Sequence, residues 1–223
     1  MGVLKNKPVL GMGIYTPPDI SIILQIPQQR IRWYINEVWD NRFGRSQFNE
    51  RYSWALNNQR AVNFLVLIEF KIVLALHRLG ISTRKILQAR NNIAKENSVP
   101  YPFASSRILA DSKSIRYRFR DAIVDADGSR QLTFDRLVED YYGCIEFDPD
   151  DLAKSFWPRG RDSSIIVDRS RQFGSPIIEG TNISARTIHL MHESGDSVSV
   201  LSKLYEVSEK NIRDAIGFYR QAV

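Results

Sequence analysis

A chain of 223 residues, 43% hydrophobic and 25% charged, carries enough apolar side chains to bury the core of one large or two small domains. Its longest apolar run, Phe64 to Leu76, is interrupted by Glu69 and Lys71. The run is shorter than the roughly 20 residues needed to cross a bilayer, so a spanning helix there is excluded. The net charge of +6 is unevenly spread: residues 1–120 hold 19 Lys+Arg against 7 Asp+Glu, residues 121–151 hold 2 against 10, and residues 152–223 hold 10 against 8.

A basic first half followed by an acidic block predicts a nucleic-acid-binding head, with a segment after it that avoids phosphate or faces a basic partner. Lys5 and Lys7 lead into a Pro- and Gly-containing stretch, which is not the apolar core of a signal peptide. The single cysteine, Cys144, has no intramolecular partner, and a reducing cytoplasm is expected.

Residues 1–14 read as a flexible lead-in. From Thr16 to Trp39 the spacing predicts two short helices around a tight turn. Thr16 suits the N-cap, Pro17 the first helical position, and Asp19 sits three residues on, as in a capping box. Ile20, Ile23 and Leu24 share a face. Pro27 pushes Ile26 out of the helical region and ends the first helix. The second helix restarts at Pro27, with Ile31, Ile35 and Val38 inward and Gln28, Gln29, Arg30 and Arg32 outward. A polar tip of Gln and Arg is the surface a major groove accepts, because Gln pairs bidentately with adenine and Arg with guanine or phosphate. An ordinary helical hairpin with a solvated face is the plainer alternative.

Asn41 to Asn63 is polar and aromatic, with Arg42, Arg45 and Arg51 alternating with Phe43, Phe48 and Tyr52. It reads as a β-hairpin that lays cations on a phosphate backbone, or equally as a surface loop with incidental arginines. Phe64 to Leu79 is a strong helix, apolar on nearly all sides, which must be covered by its own domain or by a second copy. Gly80 ends it and Ser82 caps the next helix, Thr83 to about Asn97, with Ile86 and Ile93 inward. Arg84, Lys85, Arg90 and Lys95 are read there as added basic charge on a helix face.

This order of parts resembles the DNA-binding domain of MerR-type regulators over roughly residues 14–97. The resemblance rests on Arg32-Trp33-Tyr34, on Arg51-Tyr52 in the hairpin segment, and on the Leu79-Gly80-Ile81-Ser82 turn. It implies a winged helix, although the usual Gly-Tyr-Arg motif of the wing is imperfect here.

Val99 to Phe134 turns to short strands, including Ile115-Arg116-Tyr117-Arg118-Phe119-Arg120 with one cationic face, and to an Asp127-Gly128 turn. Phe147-Asp148-Pro149 closes the acidic block, and a domain boundary is expected near Phe156–Arg161. Beyond it, Ile165–Asp168 and Ile177–Ile183 predict two strands, followed by three short helices: one in SARTIHLMHESG, one over Ser197–Tyr205 and one over Glu209–Tyr219, the last pair forming a second helix-turn-helix-like unit. About residues 163–220 resemble a small domain of unknown function encoded beside PIN-like ribonuclease toxins and classed with VapB-type antitoxins. The features that carry this are Gly174-Ser175-Pro176, Glu179-Gly180-Thr181, Ile183, Gly195, Ser197, Leu204-Tyr205, Val207-Ser208 and Ile212 to Tyr219. The resemblance implies the neutralising, self-regulating half of a toxin–antitoxin pair.

No catalytic chemistry is legible. His189 and His192 are three residues apart, which is not the zincin spacing, and no third ligand is suggested. The glycines are scattered, so no phosphate loop is present. The alternating strand–helix pattern of a PIN-like nuclease is missing. No cofactor or metal is assigned.

The expectation is therefore a mainly α chain with small β parts (α+β). It comprises a lead-in at 1–14, a winged-helix domain at 15–98, a β-rich and acidic connection at 99–160, and a helix-turn-helix-like module at 161–223. Thr16, Gln28, Gln29, Arg30, Arg32, Arg42, Arg45 and Arg51 are the candidate DNA-binding residues. The expected partners are operator duplex DNA, a PIN-like ribonuclease toxin and a second copy of the chain, with no membrane. The alternative is an adaptor whose helix-turn-helix units only pack against protein.

Overall fold

A computed structural model describes residues 11–44, 52–78, 80–105, 141 and 143–220. The chain is mainly helical with two small antiparallel sheets, an α+β arrangement. Most of the expected lead-in, Arg45, Phe48 and Arg51 of the cationic hairpin segment, Leu79, the strands proposed between Ile108 and Val124, and most of the acidic block lie outside the described residues.

Helix α1 spans Pro17–Leu24. Its start is fixed locally: the Asp19 carboxylate accepts from the Thr16 backbone N–H at 2.9 Å and from the Thr16 hydroxyl at 2.5 Å. Its end comes at Gln25, which takes a left-handed conformation (φ 54°) before Ile26-Pro27. Helix α2, Gln28–Trp33, continues without a break into a π-helical stretch, Tyr34–Gly44. Ile20, Ile23 and Leu24 of α1 meet Ile31, Ile35, Val38 and Trp39 in one core.

Strands β1 (Ser53–Leu56) and β2 (Gln59–Val62) form a hairpin. Its two turn residues, Asn57 and Asn58, have φ of 44° and 61°, the left-handed pair that matches the twist of a two-residue hairpin and that asparagine tolerates. Tyr15 exchanges two backbone hydrogen bonds of 2.9 Å with Val62, which ties the hairpin to the entry of α1.

Helix α3, Phe64–Arg78, is the central element: every residue from Phe64 to Leu76 except Lys71 is buried. The chain itself therefore covers this helix, and no apolar face is left on it for a second copy. Helix α4, Thr83–Asn97, packs on it through Ile86, Leu87 and Ile93, with Ser82 as its cap. Arg90 does not sit on a solvated face as expected. It is wholly buried against Glu69 of α3, which is buried too (both side chains 0% exposed).

Arg90 donates to Glu69 Oε2 from Nε at 3.0 Å and from Nη2 at 2.7 Å, and lies 4.1 Å above the centre of the Phe43 ring. Trp39 Nε1 and the Phe103 N–H donate to the same carboxylate, at 3.1 and 3.3 Å. Burial pushes the Glu69 carboxyl up, while Arg90 and these N–H groups pull it back. The carboxylate of this buried pair is well supplied with donors, whereas Arg90 Nη1 has no hydrogen-bond partner among the described residues.

Strands β3 (Ile145–Phe147), β4 (Ala153–Phe156), β5 (Ile165–Asp168) and β6 (Pro176–Ile178) form an antiparallel meander in that order. The sheet runs across the boundary expected near Phe156–Arg161. Two of its four strands precede that boundary, and Asp148-Pro149 is the β3–β4 turn. Helices α5 (Ala185–Glu193) and α7 (Glu209–Arg220) pack on its β5–β6 side and α6 (Val198–Tyr205) packs on those two helices, with caps at Ser184, Ser197 and Ser208.

Arg159 hooks the two ends of the chain together. Its guanidinium donates to the Ile23 and Ile22 carbonyls at the end of α1 (2.8 and 3.0 Å) and stacks 4.5 Å from the ring centre of Phe218 in α7. One continuous apolar cluster accordingly extends from Tyr15 to Phe218.

Candidate nucleic-acid interface

The tip of α2 is open. Gln29, Arg30 and Arg32 are exposed and Gln28 is half-buried. Among the described residues, no carboxylate pairs with Arg30, Arg32 or Arg42. Arg32 Nη2 instead donates to Gln28 Oε1 at 3.2 Å, a contact between i and i+4 neighbours that orients the guanidinium and occupies the Gln28 carbonyl. Arg30 rests 5.8 Å from the centre of the Tyr34 ring. Trp33, 44% exposed, packs edge-on against that same ring. The tip thus offers one free amide, Gln29, and two cations held by neutral neighbours.

Of the other candidates, Thr16 is half-buried and its hydroxyl is engaged with Asp19, so its role is to start α1. Arg42 is exposed, near the end of the π-helical stretch. Arg45 and Arg51 fall outside the described residues.

The structure adds residues that the sequence did not single out. The four-residue spacing of Gln28, Arg32, Asn36 and Asp40 continues one stripe from α2 into the π-helical stretch. At its far end the buried Asp40 carboxylate accepts from the Ser53 N–H (3.0 Å), the Ser53 hydroxyl (2.5 Å) and Arg60 Nη2 (3.1 Å). These bonds fix the base of the hairpin against the helix. Between its turn and the stripe lies a cleft of about 280 Å³ lined by Pro17, Arg32, Ile35, Asn36, Asn58, Gln59 and Arg60. The signal for this was present: an i, i+4 polar stripe, and an Asn-Asn pair between two short alternating runs.

His77, at the end of α3, lies behind the tip. Its ring is 6.4 Å from that of Tyr34, and its Nε2 meets the Thr83 hydroxyl at 3.2 Å. Burial, then the charge of Arg30, hold its pKa below the ordinary histidine value.

The C-terminal unit has a different surface. On α7, Lys210 pairs with Asp214 at 2.8 Å and Arg213 with Glu209 at 2.5 Å. Leu190 on α5 and Val200 and Leu204 on α6 are more than half exposed. His189 stacks on Tyr219, and His192 Nδ1 meets the Asp196 carbonyl at 2.9 Å, so each histidine has a local packing or hydrogen-bonding role. Among the described residues, no group of three or more His, Cys, Asp or Glu is placed to hold a metal ion, and no helix is long and apolar enough to cross a membrane.

Residues 165–219 match the model of a protein family of unknown function, DUF433. None of the curated proteins matches the chain. Among solved structures, the crystal structure of Rv2018 from Mycobacterium tuberculosis is similar, with a TM-score of 0.71 at 18% identity, covering 95% of this chain and 99% of that one. At that identity the likeness is one of fold, and it extends over both the tip region and the C-terminal unit.

Proposed function

We propose that the chain is a DNA-binding antitoxin and transcriptional autorepressor, a regulator rather than an enzyme. In this reading, α1, α2 and the β1–β2 hairpin act as a winged helix-turn-helix on operator DNA. The C-terminal module, α5 to α7, neutralises a PIN-like ribonuclease toxin in the cytoplasm. The observation that carries the reading is the exposed tip of α2, where Arg30 and Arg32 meet no carboxylate among the described residues and stand beside a hairpin fixed to the same helix. Gln29 is offered to base edges, and Arg30, Arg32 and Arg42 to phosphates.

One recognition helix buries little surface, so the protein binds its operator as a dimer. Because α3 is covered by its own chain, the surface for a second copy or for the toxin lies elsewhere, and the exposed Leu190, Val200 and Leu204 on the C-terminal module suit such a contact. Those three side chains are also what favours the alternative, a protein-interaction adaptor that does not touch DNA.

A gel shift on the DNA upstream of the protein's own gene separates the two. A retarded band at low salt that fades as salt rises is expected. No band at low salt overturns the regulator reading.

A further inference from the structure

Resting on the DNA-binding reading, we infer that the cleft between α2 and the hairpin turn is a seat for one backbone phosphodiester of duplex DNA, and that Arg32 is its principal ligand.

Four features of the cleft point there. Its polar lining is two guanidiniums and three amides, Arg32 and Asn36 on the helix wall and Asn58, Gln59 and Arg60 on the hairpin wall, with no carboxylate among them. A volume of about 280 Å³ admits a tetrahedral phosphodiester with part of its sugars. Arg60 of the cleft is engaged outside it by Asp40 and Ser53, which leaves Arg32 as the lining cation without a carboxylate partner among the described residues.

Both walls are stiff. Gln28 steadies the Arg32 guanidinium from the preceding turn, and the left-handed Asn57-Asn58 pair fixes the turn of the hairpin. A ready-made, electropositive cleft of this kind holds an anion without reorganising, and amide N–H groups complement a guanidinium in gripping phosphate oxygens.

The seat divides the work of the tip. A residue that binds phosphate sets register and affinity for every sequence alike, whereas a residue that meets base edges sets preference. Arg32, Asn36, Asn58 and Gln59 therefore belong to the first kind, and Gln29, exposed and not part of the cleft lining, to the second.

The test is Asn58→Asp in the full chain. The change adds one negative charge to the cleft wall, and Asp keeps the turn because it also tolerates the left-handed conformation. Thr187→Asp on exposed α5 is the charge-matched control, and circular dichroism melting checks that both fold. Fluorescence anisotropy is read on the protein's own upstream duplex and on a scrambled duplex, over a salt series.

Asn58→Asp is expected to weaken binding to both duplexes by the same factor, about tenfold, and to lower the slope of log K against log salt by about one. Thr187→Asp is expected to change neither. If the parent chain binds duplex and Asn58→Asp binds as well as the parent, or loses only its preference between the two duplexes, the phosphate seat is overturned while the DNA-binding reading stands. If the parent binds neither duplex, both are overturned.

Discussion

The chain contains two pairs of consecutive short helices that dispose of their charges in opposite ways. The first, built on α1 and α2, hides an ion pair behind itself, Glu69 with Arg90, and leaves Arg30 and Arg32 at its surface with neutral neighbours. The second, α6 and α7, has an interior of Leu201, Ile212, Ala215, Ile216 and Phe218, and pairs the two cations at the start of α7 with acids one turn away. Two helix pairs thus present a tip whose cations have no carboxylate partner among the described residues in one place, and a neutralised one, near exposed aliphatic side chains, in the other. What separates the two tips here is where the carboxylates stand, not the backbone, and the proposed DNA reading of α2 rests on that difference.

The largest expected effect comes from the buried pair. Arg90→Ala leaves Glu69 buried without the cation that holds its carboxyl down, and removing one partner of such a pair costs about 3–5 kcal/mol. The thermal midpoint should fall accordingly, with the hairpin and the Pro100–Phe103 segment loosened, since Arg90 also donates to the Pro100 carbonyl at 2.8 Å. A variant that melts with the parent chain would mean that the pair does not hold the first unit together.

Next in size is Arg30→Ala combined with Arg32→Ala. Both side chains are exposed, so stability should stay within about 0.5 kcal/mol. Duplex binding should weaken by at least tenfold, each phosphate or base contact being worth about 1–3 kcal/mol. Unchanged anisotropy titrations would erase the contrast between the units and favour the adaptor.

The mirror experiment on the second unit is expected to do less. In Lys210→Met combined with Arg213→Met, each change removes an exposed ion pair worth about 0.2–1 kcal/mol and touches none of the residues of the proposed DNA surface. Affinity for duplex should be unchanged. A loss as large as that of the Arg30 and Arg32 changes would show that α7 also lies on DNA.

How far the sequence reached follows the range of the interactions. The start of α1 was legible because Thr16, Pro17 and Asp19 act within one turn. The three C-terminal helices were legible because serine caps and apolar spacing are equally local. Arg90 was misread because a helix face looks basic until its partner, Glu69, arrives from 21 residues away on another helix.

The same limit hid β3 and β4. Ile145–Phe147 and Ala153–Phe156 are three and four residues long and sit in an acidic, junction-like stretch, and they become strands only by pairing with each other and, through β4, with β5. At the candidate site, the tip residues were readable from their own helix. The opposite wall of the cleft was not, since Asp40 and Arg60 meet only once the hairpin folds back.

The smallest effect bears on how the second unit holds to its sheet. Asp214 of α7 accepts from the Ser164 N–H and hydroxyl, both at 2.9 Å, and from Lys210, which bridges also to the Asp162 carbonyl. Partial burial alone would raise this carboxyl, but Lys210 and the two Ser164 donors outweigh it and hold the pKa below the ordinary 3.8. A depressed carboxyl means that the unfolded chain takes up the proton first as acid is added. The contribution of Asp214 is therefore fully present above 3.8 and is lost as pH falls from there through the lower folded-state value. Solvent screening limits the contribution to roughly 0.5 kcal/mol. Asp214→Asn should accordingly melt slightly below the parent at neutral pH, and the gap should close in acid well below 3.8. A gap that persists or widens in acid would assign the stabilisation to the neutral hydrogen bonds from Ser164, leaving the paired charges on α7 with no part in anchoring the second unit.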